Sequence, residues 1–201
     1  MLTTQIHREL EPALDALIDQ EQIVAIFQNH SEWGPRALGN RSIMFDPRHP
    51  NAKQIVNEVK KREYYRPFAC TVMLEHAHDY FEMLQLPESP WMSFAIQCKE
   101  KALKDIPTLV HADNTCRIQT VTEEQNKNYY NLIKGFYERT GVPIIFNTSF
   151  NLGGEAICET IYDAIDTCNR SMINHLYVPE DQEIDIPYEC IRDKTEHIPE
   201  D

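Results

Sequence analysis

Apolar residues recur along this chain with two alternating spacings. Residues 7–20 place Leu10, Leu14 and Leu17 on one face of a predicted helix, and the apolar run at 22–27 predicts a short strand. The same alternation of short strands and amphipathic helices continues to about residue 178. The pattern therefore predicts an α/β fold in which helices flank a sheet.

The remaining predicted elements follow in order along the chain. Helices are predicted at residues 51–62, 75–84, 126–140 and 159–168, and strands at 68–74, 92–97, 115–122, 142–146 and 175–178. Residues 99–114 have no clear period and contain Pro107, which predicts a loop. Residues 180–201 contain nine acidic residues and two basic ones. We therefore predict one domain at 1–179, followed by an acidic, mobile tail at 180–201.

Charge is distributed unevenly. The formal net charge is −13, yet residues 32–66 hold eight Lys and Arg against four Asp and Glu, a local balance of +4. A basic island in an acidic protein favours a small polyanion, such as a nucleotide or an acyl phosphate, over a nucleic acid. The composition leaves one alternative open, which is that these cations form a solvated helix face.

Polar side chains cluster in four segments at strand ends or in loops, where α/β proteins place ligands. In the first segment, Arg36 and Arg41 share a glycine-containing loop, and guanidinium groups beside backbone amides suit phosphate. The candidate site residues are Glu32, Arg36, Arg41, Lys60, Arg62, Arg66, His111, Arg117, Asn147, Ser149 and Asn151. Glu32 either orients Arg36 or contacts the ligand. Arg117 either faces a site or is a charge that protects an edge strand.

Several common catalytic and membrane signals are missing from the sequence. It contains no Walker-type phosphate loop, no Gly-x-Ser-x-Gly nucleophile elbow and no His-Glu-x-x-His zinc motif. Its six cysteines form no Cys-x-x-Cys pair, so we expect buried reduced thiols and no metal site. With no apolar run of membrane-spanning length and no leader, we expect a cytoplasmic protein. Phosphoryl or adenylyl transfer, which needs positioning and charge neutralisation, fits the residues present.

Five sequence blocks make the chain recognisable, because they occur together and in order. They lie at residues 32–48, 59–69, 111–113, 115–121 and 141–155. Through them the chain resembles the C-terminal, YrdC-like domain of the carbamoyltransferase family that includes the nodulation and antibiotic O-carbamoyltransferases. The resemblance implies a YrdC-like open twisted sheet with flanking helices and a concave basic face.

The resemblance also implies an activity. The family's domain combines ATP, accompanied by Mg²⁺, with carbamoyl phosphate to form carbamoyladenylate. On this basis we expect Lys60, Arg62 and Arg117 to be catalytic and the other candidates to bind substrate or nucleotide. In the family, a larger domain of actin-like ATPase fold passes the carbamoyl group to a hydroxyl acceptor. That larger domain is absent from this sequence, so we expect the chain either to act alone or to be the detached half of a split carbamoyltransferase with a separate actin-like ATPase-fold subunit.

Two other functions stay open at this point. YrdC-like folds are also associated with RNA, so a double-stranded RNA-binding module is one alternative, although the net charge of −13 disfavours it. A non-catalytic subunit that stabilises a partner ATPase domain is the other.

One structural expectation follows from the position of Lys60 and Arg62. They come after the apolar face of a predicted helix, so their charged groups should point away from the core. Replacing either by alanine should therefore leave folding nearly intact.

Overall fold

One eight-stranded mixed sheet forms the centre of the protein. The computed structural model describes residues 4–182 and residue 184. In chain order the strands are β1 (Gln5–His7), β2 (Val24–Phe27), β3 (Arg41–Phe45), β4 (Ala69–Met73), β5 (Ala95–Gln97), β6 (Thr115–Val121), β7 (Ile144–Ser149) and β8 (His175–Tyr177). Across the sheet their order is β1-β8-β2-β3-β7-β4-β6-β5.

Six α-helices connect these strands. They are α1 (Leu10–Ile18), α2 (Ala52–Val59), α3 (Ala77–Tyr80), α4 (Glu100–Asp105), α5 (Lys127–Thr140) and α6 (Ile161–Arg170). Local capping fixes the two longest. The side chain of Asn126 accepts the Tyr129 N–H at the start of α5, and Gly141 ends that helix with a φ of +76°. Thr160 and Asp163 form a capping box at the start of α6.

The directions of four neighbouring strands define the part of the sheet that matters most. β7 is antiparallel to both β3 and β4, and β4 is parallel to β6. The starts of β3, β4 and β6 therefore meet the end of β7 at one edge, which we call the site edge. In the register, Ala69 pairs with Asn147 on one side and with Arg117 on the other, so these three side chains lie on the same face.

The core is built from both faces of the sheet. Every residue of β2, β3 and β4 is buried, and α5 contributes Tyr129, Leu132, Ile133 and Phe136. Five cysteines lie in this interior as free thiols, as the sequence predicts, and Cys190 lies outside the described residues. Burial raises the pKa of the Cys70 thiol, which makes it less reactive.

Most predicted elements are present, and the differences concern short elements and element ends. Residues 99–114 were expected to form a loop but contain α4 and a 3-10 turn at Pro107–Leu109, because a six-residue helix is too short to show a period. Strands β1 and β3 were not predicted. β7 continues through Ser149 and α2 ends at Val59, not at residue 62. The predicted acidic tail lies almost entirely outside the described residues and stays a prediction.

Candidate functional site

A small cavity of about 110 Å³ opens at the site edge. Three arginines from three separate parts of the chain line it: Arg36 from the loop before β3, Arg62 from the α2–β4 loop and Arg117 from β6. The other lining residues are Pro35, Ala37, Pro67, Phe68, Ala69, Met92, Asn147, Thr148 and Ser149. We call this space the arginine cavity. No Asp or Glu is among its lining residues.

Two of the three arginines are left without protein partners. Within residues 4–182, the guanidinium groups of Arg36 and Arg117 make no hydrogen bond or ion pair with another side chain or carbonyl. Burial lowers the pKa of Arg117, and the nearby charge of Arg36 lowers it further. Two like charges held close together without a counter-ion favour the binding of an anion between them.

Arg62 is held in place from two sides. Its Nε donates to Asn57 Oδ1 at 2.6 Å, and its guanidinium carbon lies 4.1 Å from the centre of the Phe68 ring. Burial, together with the charge of Arg66, lowers the pKa of Arg62 to about 10. One edge of the guanidinium is thus fixed on the protein, and the cation is oriented toward the cavity that it lines.

Asn147 closes the inner end of the arginine cavity. Its Nδ2 donates to the carbonyl oxygen of Ala37 at 3.1 Å and to Thr71 Oγ1 at 2.9 Å, which fixes the orientation of the amide. The side chain is buried and its Oδ1 has no partner. A buried acceptor without a donor is costly, so an N–H or O–H group that reached this atom would stabilise the folded protein.

Lys60 lies behind the cavity and not on the surface. It is only 2% exposed, and its Nζ donates to Asn151 Oδ1 at 2.8 Å, to the Asn151 carbonyl at 3.0 Å and to Ser149. The Ser149 hydroxyl in turn donates to Asn151 Oδ1 at 2.7 Å. Burial and the charge of Arg62 lower the pKa of Lys60 to about 7. The expectation that its charged group points away from the core is wrong, because α2 ends at Val59 and turns Lys60 toward β7.

Arg41 and Glu32 organise the chain and do not line the arginine cavity. Arg41 is 2% exposed, and its guanidinium donates to the carbonyls of Gln28, Asn29, Asn40 and Glu159. Glu32 Oε1 accepts the backbone N–H groups of Leu38 and Asn40, each at 2.8 Å, and that of Arg41. Glu32 therefore folds its own loop, so neither of the two roles considered from the sequence, pairing with Arg36 or contacting the ligand, is needed to explain it. Whether Arg41 and Glu32 also contribute to binding stays a prediction.

The two remaining candidates lie to one side. Arg66 is exposed and pairs with Glu63 at 2.8 Å. His111 Nδ1 lies 3.1 Å from Thr115 Oγ1, and its ring lines a second cavity of about 470 Å³ together with Tyr65, Pro67 and Phe68. Pro67 and Phe68 line both cavities, so the two spaces are adjacent.

Several residues that shape the site were not among the sequence candidates. Gln119 donates to the Leu38 carbonyl at 2.9 Å and accepts the Thr71 hydroxyl, so that it ties the loop before β3 to β6. Ala69 and Ala95 are the register partners of Arg117, and their small side chains leave room for its guanidinium. In the sequence, the arginine in β6 and the alanines that begin β4 and β5 were a signal that could have indicated this arrangement. The loop carbonyls carry no side-chain signal at all.

Two further findings concern metal and membrane. Within the described part of the chain, no three His, Cys, Asp or Glu side chains are grouped closely enough to hold a metal ion. None of the described helices is long and apolar enough to cross a membrane.

The sequence matches known proteins over most of its length. It matches the family described as Carbamoyltransferase C-terminus at residues 15–182. Nodulation protein NolNO of Sinorhizobium fredii is 45% identical over 161 residues, which cover 78% of this chain and 23% of that protein. NolO of Bradyrhizobium diazoefficiens is 43% identical over 161 residues, which cover 78% of this chain and 29% of that protein. The chain thus spans about a quarter of the length of these curated relatives.

Two solved structures share the fold. Full-length HypF in its phosphate- and nucleotide-bound form aligns with a TM-score of 0.59 at 19% identity, covering 88% of this chain and 25% of that protein. A Sua5 of P. abyssi aligns with a TM-score of 0.58 at 12% identity, covering 90% of this chain and 51% of that protein. These alignments and the observed sheet confirm the prediction of a YrdC-like, open α/β fold.

Proposed function

Because this chain belongs to the carbamoyltransferase C-terminal family, we propose that it forms carbamoyladenylate from ATP and carbamoyl phosphate. Membership makes the chain part of a transferase. The adenylate-forming step, the two substrates and the Mg²⁺ that accompanies ATP are the proposal.

The observation that supports it best is the arginine cavity. Arg36, Arg62 and Arg117 converge there on a space with no lining carboxylate. Guanidinium groups bind phosphate oxygens through paired N–H donors, and a partly buried cluster of like charges gains most from an anion. The reaction needs the same feature, because negative charge on the leaving pyrophosphate must be neutralised as it develops.

The volumes of the two cavities fit different parts of the nucleotide. A space of 110 Å³ holds a phosphoryl group or a few waters, since one water occupies about 30 Å³ in the liquid. The adjacent cavity of 470 Å³ falls within the usual range of about 300–1,000 Å³ for ligand pockets. We place one phosphoryl group at the arginines and the nucleoside beside Tyr65 and His111, with Phe68 forming the wall between the two cavities.

The balanced reaction takes ATP, carbamoyl phosphate and one water to carbamoyladenylate, pyrophosphate and inorganic phosphate. Carbamoyl phosphate loses its phosphoryl group to water, and an oxygen of the resulting carbamate attacks the α-phosphorus of ATP. The bond from that phosphorus to the oxygen bridging the β-phosphate then breaks. In this proposal Arg62 and Arg117 stabilise the leaving pyrophosphate, and Asn147 Oδ1 accepts an N–H of the carbamoyl group.

In this proposal Lys60 supports the site, whereas Arg62 and Arg117 stabilise the leaving pyrophosphate. Its ammonium group donates hydrogen bonds to Ser149 and Asn151. It therefore supports the end of β7 from behind and adds positive potential to the cavity. This chain spans about a quarter of the length of its relatives, and we propose that transfer to a hydroxyl acceptor takes place on an actin-like ATPase-fold domain or subunit that corresponds to the rest of that length.

Release of pyrophosphate tests the proposal directly. The purified chain is incubated with ATP, Mg²⁺ and either carbamoyl phosphate or freshly mixed ammonium bicarbonate, which supplies carbamate. Pyrophosphate should appear only when ATP and a carbamoyl source are both present. Arg117→Ala should lower the rate roughly a hundredfold, as expected for the loss of one charge-stabilising group, and Arg66→Ala should change it little.

The negative outcomes also discriminate. If neither carbamoyl source yields pyrophosphate, with or without an ATPase-fold subunit, the adenylate-forming proposal fails. Tight binding of duplex RNA with a steep dependence on salt, together with no binding of ATP, would instead favour the nucleic-acid alternative.

A further inference from the structure

The loop before β3 consists of an anchored stem and an unattached tip. The tip consists of residues 33–36, which are all exposed. Within the part of the chain that the structure describes, these four residues form no hydrogen bond. On one side, Glu32 is fixed by the three backbone N–H groups that it accepts. On the other, the carbonyls of Ala37 and Leu38 are held by Asn147 and Gln119. Four exposed residues without described hydrogen bonds thus lie between two fixed points.

The tip carries an unusual side chain. Trp33 is 98% exposed, and a large aromatic side chain left fully in water gives up the free energy that its burial would supply. Its position is informative, because Pro35 and Arg36 of the same tip line the arginine cavity. The indole is therefore attached, at a distance of two or three residues, to the mouth of a phosphate-sized space.

The backbone at Gly34 allows the tip to move. Gly34 has a φ of +91°, a conformation that glycine adopts without strain, and nothing lies within 4 Å of the place where a Cβ would be. The backbone at Gly34 therefore has both conformational freedom and empty space on the side of its missing Cβ. A few loop residues that absorb such a rotation are what closing lids use as hinges.

We infer that residues 33–36 form a lid and that Trp33 closes over a phosphate-bearing substrate held in the arginine cavity. Arg36 carries the coupling, since an anion that draws its guanidinium toward Arg117 moves the tip with it. Closure buries the indole and removes water from the cavity. That matters for a mixed anhydride such as carbamoyladenylate, which water destroys. The inference rests on the proposed function for its substrate, but its test does not depend on turnover.

Fluorescence gives the test, because the chain contains only two tryptophans. In Trp91→Phe the emission comes from Trp33 alone, and in Trp33→Phe it comes from Trp91 alone. Collisional quenching by acrylamide is measured in each variant without ligand, with pyrophosphate and with Mg²⁺–ATP. Ligand binding itself is followed independently by equilibrium dialysis.

Closure should lower the acrylamide quenching constant of Trp33 about threefold, as burial of most of the side chain implies, and leave that of Trp91 unchanged. Trp33→Ala should release bound ATP roughly tenfold faster, with Trp33→Phe between it and the parent protein. Gly34→Ala should reduce the protection of Trp33, since the residue then resists a positive φ.

The outcomes separate the two proposals. If ATP or pyrophosphate binds and the quenching of Trp33 does not change, the lid is wrong and the nucleotide site stands. If Trp33 is protected by these anions but no pyrophosphate is ever released in the activity assay, the lid stands and the adenylate-forming reaction fails. If neither anion binds, both are wrong.

Discussion

Arg41 and Arg117 are both strand arginines at the site edge, and their surroundings are opposite. Arg41 donates to four backbone carbonyls and is 2% exposed. Arg117 lines a cavity, and none of the described residues accepts a hydrogen bond from it. Burial lowers the pKa of both, so the degree of burial does not distinguish them. The acceptors do, because a cation whose two terminal nitrogens donate to four carbonyls of its own protein holds the fold together, although the Nε of Arg41 has no partner among the described residues, and a cation without acceptors is left for a ligand.

Lys60 and Arg62 repeat the comparison two residues apart. Lys60 donates to Ser149 and Asn151. Arg62 donates from Nε to Asn57 and, over a longer distance of 3.4 Å, from Nη2 to the Pro67 carbonyl, and it also lines the cavity. A run of three consecutive basic residues, Lys60 to Arg62, therefore contains one structural cation and one binding cation. The four predictions below test this division.

Replacing Arg41 should have the largest effect on stability. In Arg41→Met the side chain still packs on Phe27, but four carbonyls lose the guanidinium as a donor, and within the described residues only that of Asn40 keeps another one, the backbone N–H of Gln28. We expect the free energy of unfolding in urea to fall by about 3 kcal/mol, since each buried group left unsatisfied costs on the order of 1–3 kcal/mol. Arg41→Lys should recover part of the loss. A loss no greater than that of an exposed surface substitution would mean that the carbonyls do not depend on Arg41.

Replacing Arg117 should have the converse effect. Arg117→Ala removes a cation that binds no described residue, and it relieves repulsion from Arg36. The urea midpoint should therefore stay unchanged or rise slightly. The affinity for pyrophosphate, measured by calorimetry, should fall by about 1.5–3 kcal/mol, the range for hydrogen bonds to charged groups. Arg62→Lys should lose a smaller share, because lysine lacks the planar fork. A fall in stability with unchanged affinity would reverse the assignment of Arg117.

The sequence was sufficient to predict much of the fold. The apolar spacing of α5 and the glycine after it predicted that helix almost to the residue, because its buried face and its cap are both local signals. Strand β3 was missed because Arg41 and Ser42 read as part of a polar loop. Arg41 can be buried there because Gln28, Asn29 and Glu159 supply acceptors from elsewhere in the chain. Long-range contacts of this kind leave no periodic pattern.

The site was predictable as a group of residues but not as a set of roles. Arg36, Arg62, Arg117, Asn147 and Ser149 do converge on one cavity. Lys60 has the same charge and a neighbouring position, and only the end of α2 at Val59 decides that it turns inward. Composition can therefore predict a cluster of basic side chains. The number of carbonyl oxygens that surround each side chain depends on how the chain folds.

Titration of Lys60 should produce a moderate, pH-dependent effect. Its pKa is lowered from 10.5 to about 7 by burial, so between these values the unfolded chain holds a proton that the folded chain has lost. The contribution of Lys60 to the free energy of unfolding should therefore become more favourable as the pH rises above 7. We expect a gain of about 2 kcal/mol between pH 7 and pH 9 in the parent protein relative to Lys60→Met, measured by urea unfolding at each pH. Equal pH dependence in the two proteins would show that Nζ keeps its proton, as an ammonium group surrounded by acceptors at Ser149 and Asn151 could.

The smallest effect should come from Arg66, which supplies the baseline for the others. It lies four residues after Arg62, but it is exposed and pairs only with the equally exposed Glu63. Exposed pairs of this kind are screened by water and contribute little to stability. Arg66→Ala should leave the urea midpoint within error and change pyrophosphate affinity less than about threefold, through the weaker long-range potential alone. If Arg66→Ala weakens binding as much as Arg117→Ala does, the anion lies outside the arginine cavity. The absence of acceptors around a cation would then be a poor guide to which cations bind ligand.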